Sequence, residues 1–311
     1  YFGIANARLS VNDSGALPFV IAARIEAAVK AVTGTSLSFI PDMIPENSYV
    51  SQRDRYRFSR LYLPGNNPGM FLNAGLHSPD GVILDLEDSV APDRKDEARI
   101  LVRNALRAVN FYGAERMVRI NQGERGMKDL EELIPHNVHL VLVPKCESAE
   151  SLRDIDRKIK EIKAEAGQVG TVFIMPIIES AAGVEHAGEI ASATDTVVAL
   201  AIGLEDYTAD LGVQRTREGA ESLYARNRIV VASKAAGIQP IDSVFSDVGD
   251  MEGLLQNVLS SKAMGFEGMG CIHPRQIAVI REGFSPSPDE MEKARKIVIA
   301  YADALEKGLG V

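Results

Sequence analysis

Hydrophobic positions along this chain follow two periods. From Arg60 onward, short runs of apolar, β-rich residues alternate with longer stretches whose apolar residues recur at helical spacing. The runs read RLYLPG, GVILDLED, RMVRIN, LVLVPK, VFIMPIIES, VVALAIGLED, IQPIDSV and GMGCIHP. Between them lie amphipathic segments such as SLRDIDRKIKEIKAEAG and YARNRIVVASKAAG, each stopping at a glycine, as helices often do. Strand and helix in repeated alternation predict parallel strands with crossover helices. Eight such units in about 220 residues predict an α/β fold of the (β/α)8 TIM-barrel type, whose usual size is about 250 residues. An open doubly wound sheet is the competing layout. Its first strand normally leads into a Gly-rich fingerprint, and PGNNPG has neither the G-x-G-x-x-G nor the Walker spacing.

Upstream the pattern changes. Ala7 to Val11 alternate weakly, NDSGA reads as a turn, and FVIAARIEAAVKAV predicts a helix, apolar nearly all round. The following TGTSLSFIPDMIPENSYVSQ is rich in Ser, Pro and Asn, lacks a period, and reads as a linker. The expected division is a small N-terminal α/β appendage over 1–35, a linker over 36–56 and the barrel over 57–311. The first piece is too small to build a core alone.

Composition narrows the function classes. The chain has 311 residues, 46% hydrophobic and 25% charged, enough to bury a large core. A net charge of −9 argues against a nucleic-acid partner, which usually meets a basic face. Local arginines can still receive a small anion. Cys146 and Cys271 are far apart and make neither a disulfide framework nor a metal cluster, which points to a reducing, cytoplasmic compartment. No apolar run approaches the ~20 residues that span a bilayer, and no signal-peptide pattern is visible, so no membrane partner is expected.

In such barrels, chemistry sits at the carboxyl ends of the strands. Read in order, those ends give Asp85, Glu87 and Asp88; Arg119 and Asn121; Lys145; Glu179; Glu205 and Asp206; Asp242; and His273. Carboxylates crowded round one mouth repel unless a cation joins them, and Mg2+ needs only one or two protein carboxylates. Glu179 and Asp206 end adjacent strands and form the favoured metal pair, although either alone could equally cap a helix. Arg119 lies in an apolar strand and needs a carboxylate partner, Glu87 or Asp88, or an anionic ligand such as a substrate carboxylate or developing enolate. Lys145 could form a Schiff base, but a structural pairing with Glu147 or Glu179 is favoured. PGNNPG could offer backbone N–H groups to a phosphate or simply turn the chain. Arg53, Arg55, Arg57 and Arg60 could meet a phosphorylated cofactor, with a solvated linker face the commoner explanation. His273 is as readily packed as catalytic.

The motifs SRLYLPGN, GVILDLEDSVAPDRKDEAR, VRIN, LVPKCES, PIIESAAGV, AIGLEDYTADLG, YARNRIVVASKAAGIQPIDSVFSDVGD and GFEGMGCIHPRQI closely resemble the citrate lyase beta-subunit family, within the wider group of malyl-CoA and citramalyl-CoA lyases. The likeness runs from Arg57 to Gly310. It implies a (β/α)8 barrel and Mg2+-dependent retro-Claisen cleavage of a citryl thioester, on CoA or a phosphopantetheine carrier, to oxaloacetate and an acetyl thioester. Malyl-CoA or citramalyl-CoA are the alternative substrates. A carrier or assembly subunit with an inactive barrel is the reading from another class. The resemblance puts the metal on Glu179 and Asp206, the active-site arginine at Arg119, and the acidic strand-2 motif at Asp85, Glu87 and Asp88. It brings the CoA or carrier arm to Pro64 and Gly65 in the first loop and to Arg60. ANARLSVNDSGALPFVIAARIEAAVKAV resembles the last part of the citrate lyase acyl carrier, or gamma, subunit. A carrier–lyase fusion is therefore expected, with the carrier's modified serine before Tyr1 and a lid bearing a GKMID-like acid after Val311. Other citrate lyase subunits and a homo-oligomer, favoured as a trimer, are the implied partners.

Overall fold

The computed structural model describes residues 18–34 and 39–308; the weak alternation at Ala7–Val11 and the NDSGA turn lie outside the described residues. Eight strands form in the expected places: Ser59–Pro64 (β1), Gly81–Asp85 (β2), Glu115–Arg119 (β3), Leu140–Val143 (β4), Phe173–Ile178 (β5), Ala199–Ile202 (β6), Gln239–Ile241 (β7) and Met269–Cys271 (β8). From β1 to β7 each strand pairs in parallel with its sequence neighbour, and β8 pairs in parallel with β1, in the order β7-β6-β5-β4-β3-β2-β1-β8. A parallel bridge between Asp242 and Met269 brings the two ends together. The result is the (β/α)8 barrel that the alternation predicted.

The strands are buried on both faces, so they read as apolar runs rather than as alternations. Their side chains nonetheless divide with period two. Ile83, Met117, Leu140, Leu142 and Met175 fill the barrel interior. Val82, Leu84, Val118, Val141 and Val143 pack outward in the layer shared with the helices. Those helices, among the described residues, are Pro18–Thr33 (α1), Pro68–Ala74 (α2), Lys95–Ala108 (α3), Gly123–Leu133 (α4), Ala149–Glu165 (α5), Ala181–Glu185 (α6), Ala187–Ala191 (α7), Leu204–Leu211 (α8), Leu223–Ala235 (α9), Met251–Met264 (α10), Arg275–Phe284 (α11) and Pro288–Glu306 (α12). Past the ends of α5 and α9, Gly167 and Gly237 adopt φ of 63° and 66°, the left-handed conformation that made glycine a stop signal.

The stretch read as a linker is fastened to the barrel at several described residues. The Asn47 side-chain amide donates to the carbonyls of Leu106 (3.0 Å) and Val109 (2.7 Å), and the Ile44 N–H donates to Arg107 O (3.0 Å). The basic run divides, with Arg53 on the solvated face, Arg55 half-buried, and Arg57 and Arg60 buried. Arg57 is fully buried and grips Glu115 with Nε and Nη2 at 2.7 and 2.8 Å. Arg53 and Arg55 donate to the carbonyls of Asp195 and Gly113. Glu115 opens β3, so this cluster closes the end of the barrel where the strands begin. Among these arginines only Arg60 turns into the barrel.

Candidate active site

Residues in or just after β1 to β3 and β5 to β8 line one pocket of about 410 Å³. Its lining includes Arg60, Arg119, Asp85, Asp88, Glu179 and Asp206. The strands position these side chains directly: Asp85 is the last residue of β2, Arg119 the last of β3, and Glu179 follows β5. Asp206 comes from the first turn of α8.

Arg119 is held from several sides. Its Nε and Nη2 donate to the two Asp85 oxygens at 2.6 and 2.7 Å, a bidentate fork. Its Nη1 lies 3.2 Å from Glu87 and 3.5 Å from Asp88. The guanidinium also sits over the Tyr62 ring, 5.4 Å from its centroid. Burial opposes the charge, but the hydrogen bonds and charge of Asp85 hold Arg119 protonated more firmly than an ordinary arginine. Asp85 moves the other way for the same reason. Burial pushes its carboxyl up, the Arg119 bonds outweigh that, and it ends below the ordinary carboxylate range. Asp85 is the partner that reading the sequence missed, since Glu87 and Asp88 were the expected pair. The signal was present in the β2–β3 register, where Asp85 stands opposite Arg119.

Lys145 is the second cation. Its expected partners were Glu147 or Glu179, and neither is used. Its Nζ lies 3.3 Å from Asp206, 3.4 Å from Glu87 and 3.7 Å from Asp88. Burial works against its charge, yet Glu87, Asp88 and Asp206 together raise its pKa above the ordinary lysine value. A lysine held protonated is a poor amine nucleophile, which argues against a Schiff base. Lys145 also has φ of 48°, unusual for a residue with a side chain.

Glu179 and Asp206 meet each other. Burial first, and then the hydrogen bond and charge of Asp206, push the Glu179 carboxyl up to about 9. The hydrogen bond from Glu179 lowers Asp206. Two carboxylates this close share one proton in the absence of a cation. Room for Glu179 depends on Gly203, where a Cβ would lie 2.8 Å from Glu179 Cγ. The pair fits a hard dication in donor chemistry, because Mg2+ takes oxygen ligands and keeps several waters. Among the described residues no group of three or more His, Cys, Asp and Glu converges as a metal cluster, a count that a two-carboxylate Mg2+ site does not require.

Arg60 is buried in the barrel and has no carboxylate partner among the described residues. Its Nη1 approaches Met175 Sδ at 3.0 Å and its Nε has no hydrogen-bond partner. Desolvation lowers its pKa to about 10. An under-satisfied buried guanidinium lining a pocket suits an anionic ligand. The first loop is different. The Gly65 N–H donates to Asp85 O at 2.7 Å and the Asn67 N–H to Pro64 O at 2.9 Å, so these donors make a turn rather than a phosphate cradle. Glu205 pairs with Arg215, and Asp242 with Arg226 and Ser261. His273 Nδ1 accepts from the Arg275 N–H at 3.1 Å at the start of α11, and the ring is not part of the pocket lining.

Comparison with known proteins accords with this geometry. Residues 59–274 match the family described as HpcH/HpaI aldolase/citrate lyase. This chain belongs to that family. Within it, citrate lyase subunit beta of Leuconostoc mesenteroides subsp. cremoris is 37% identical over 261 residues, covering 83% of this chain and 86% of that protein. Human mitochondrial citramalyl-CoA lyase is 33% identical over 303 residues, covering 91% and 88%. The crystal structure of protein CitE from Mycobacterium tuberculosis, in complex with magnesium, acetoacetate and coenzyme A, superposes with a TM-score of 0.65 at 32% identity, covering 81% of this chain and 89% of that one. Residues 1–32 match a second family, of acyl-carrier type, described as malonate decarboxylase delta subunit (MdcD). The aldolase/citrate lyase family and the carrier-like segment are therefore joined in one polypeptide.

Proposed function

We propose that this chain is a Mg2+-dependent carbon–carbon lyase that cleaves a citryl thioester, on CoA or an acyl carrier, to oxaloacetate and an acetyl thioester. The observation that carries this reading is the placing of the two carboxylates Glu179 and Asp206 in one pocket with Arg60 and Arg119. Those two carboxylates would hold Mg2+. When bound, the ion supplies a Lewis acid that polarises the substrate oxygens and lowers the pKa of the reacting hydroxyl.

The chain's own residues do the rest. Arg60 binds a substrate anion in the barrel interior. Asp88 faces the pocket between Arg119 and Lys145 and is placed to accept the hydroxyl proton. Loss of that proton lets the C–C bond break, the hydroxyl carbon becoming the keto group of oxaloacetate and the electron pair passing to the thioester as an enolate. Arg119, pre-oriented by Asp85, stabilises that negative charge better than it stabilises the substrate. Glu87 keeps Arg119 and Lys145 in place, accepting also from Gln122 at 3.1 Å. Protonation of the enolate carbon completes the acetyl thioester.

Alanine at Glu179 or Asp206 is expected to cost at least ~10²–10³ in oxaloacetate release from citryl-CoA. Turnover by either variant that survives EDTA would overturn the proposal. Identity to citramalyl-CoA lyase favours malyl-CoA or citramalyl-CoA as the second reading, so all three thioesters belong in the assay. A carrier or assembly role with an inactive barrel would show no turnover on any of them.

The carrier-like segment supports work beside other citrate lyase subunits. A homo-oligomer, a trimer by the family likeness, is supported by α12, on which Ile297, Val298 and Leu305 are exposed. Among the described residues no helix is long and apolar enough to cross a membrane. Free, buried Cys146 and Cys271 fit a reducing cytoplasm.

A further inference from the structure

The flank of the barrel carries a feature that the lyase chemistry does not use. Arg103, in the middle of α3, is 1% exposed although it is an arginine on an outer helix. What covers it is α1, the helix at the end of the carrier-like match. Arg103 Nη1 and Nη2 fork onto Glu26 of α1 at 3.1 and 2.8 Å, and Nη1 also donates to Glu132 of α4 at 2.6 Å. Glu26 Oε2 in turn accepts the Phe39 N–H at 3.3 Å, and Arg103 Nη2 donates to Phe39 O at 3.3 Å, so the chain on both sides of 35–38 converges on one ion pair. Around that pair Val20 and Ala23 are buried, and Arg24 lies 3.9 Å from Glu97 in the first turn of α3. Arg107, one turn beyond Arg103, takes the Pro41 carbonyl.

A flexible tether would leave Glu26 in water, where an exposed ion pair contributes little. Here both charges are desolvated, and Glu26 depends on Arg103 to remain buried. We propose that α3, centred on Arg103, is a docking site for an acyl-carrier segment, occupied in cis by α1 of the same chain. The helix α1 is thereby clamped to the barrel rather than swinging on a linker. The clamped helix lies on α3, whose first-turn Lys95 donates to the carbonyls of Leu86 and Glu87 beside the site. Tethering in this way replaces encounter between two molecules by a fixed neighbour at high effective concentration. This rests on residues 1–32 being a carrier-type segment, and not on the identity of the thioester.

Hydrogen exchange of the full-length chain in D2O tests it, comparing the parent with Glu26→Ala and Glu26→Lys. In the parent, amides of α1 are expected to be protected to the same degree as those of α3. In both variants α1 is expected to exchange about 10²-fold faster or more, with β2 to β5 unchanged and citryl-CoA cleavage within about twofold of the parent. Unchanged protection of α1 in both variants would overturn the dock. So would loss of protection throughout the barrel, which would make the ion pair a support of the fold. Failure of the parent to cleave any thioester would sink the lyase proposal and leave the exchange result standing.

Discussion

A methyl group at position 203 would lie 2.8 Å from Glu179 Cγ and 3.1 Å from Glu179 Cδ. Gly203 has φ of −109°, so its backbone conformation is open to any residue and only the neighbour forbids a side chain. Gly203→Ala should therefore keep its thermal stability and lose the Glu179–Asp206 alignment. The Mg2+ concentration for half-maximal lyase activity is expected to rise about tenfold or more, as when groups supporting a metal ligand are disturbed. An unchanged Mg2+ requirement would show that Glu179 adapts freely. Arg119 and Lys145 illustrate the opposite condition at this scale. Each is a cation among several acids and is held charged by them.

The element that matters most to the site is the β2–α3 loop. It brings Glu87 and Asp88 to Arg119, and it is held from beneath. Lys95 Nζ donates to Leu86 O (2.9 Å), Glu87 O (2.8 Å) and Asn121 Oδ1 (2.6 Å). Asn121 gives its backbone and side-chain N–H groups to buried Asp129, each at 2.8 Å, and Asp129 also accepts from Arg99 at 2.6 Å. Lys95→Met removes three carbonyl-type contacts without opening the core. Its kcat should fall about 10–100-fold from misplacement of the acidic loop, with KM little changed. A variant with parental kcat would mean that Arg119 alone holds the loop. Of this support the sequence offered only Asn121, as a strand-end residue. Lys95 and Asp129 look like ordinary helix-surface charges, and only the folding of α3 and α4 against the β2 and β3 ends turns them inward.

On the scale of the molecule, the end of the barrel opposite the site is closed by buried polar groups that have consequences in acid. Burial, reinforced by Arg116, pushes His139 down to about 3, and burial with Arg107 pushes His136 to about 4. Both rings are therefore neutral in the fold and bind protons more readily once unfolded. Their contribution to stability is complete above the ordinary histidine value near 6.5 and is lost as pH falls towards 4 and then 3. The urea midpoint should drop between pH 7 and pH 5, before most carboxylates titrate, by an amount on the order of a few kcal/mol in stability. Replacing both histidines by glutamine should flatten that part of the profile. Equal slopes in parent and variant would show that other groups govern it.

The hydrophobic pattern alone determined the barrel. Apolar runs buried on two faces, separated by amphipathic helices, leave parallel strands with crossovers as the economical packing, and the strand ends then name the rim residues in order. The chain's motifs carried the family and the pairing of Glu179 with Asp206, because those residues follow adjacent strands. Which charge meets which was decided only by the tertiary structure. Asp85 rather than Glu87 takes the Arg119 fork, Lys145 reaches across to Asp206, and Arg57 and Arg103 are buried by segments distant in sequence. Ion pairing depends on where side chains converge in three dimensions and on how much water is excluded there, and neither quantity is periodic along a chain.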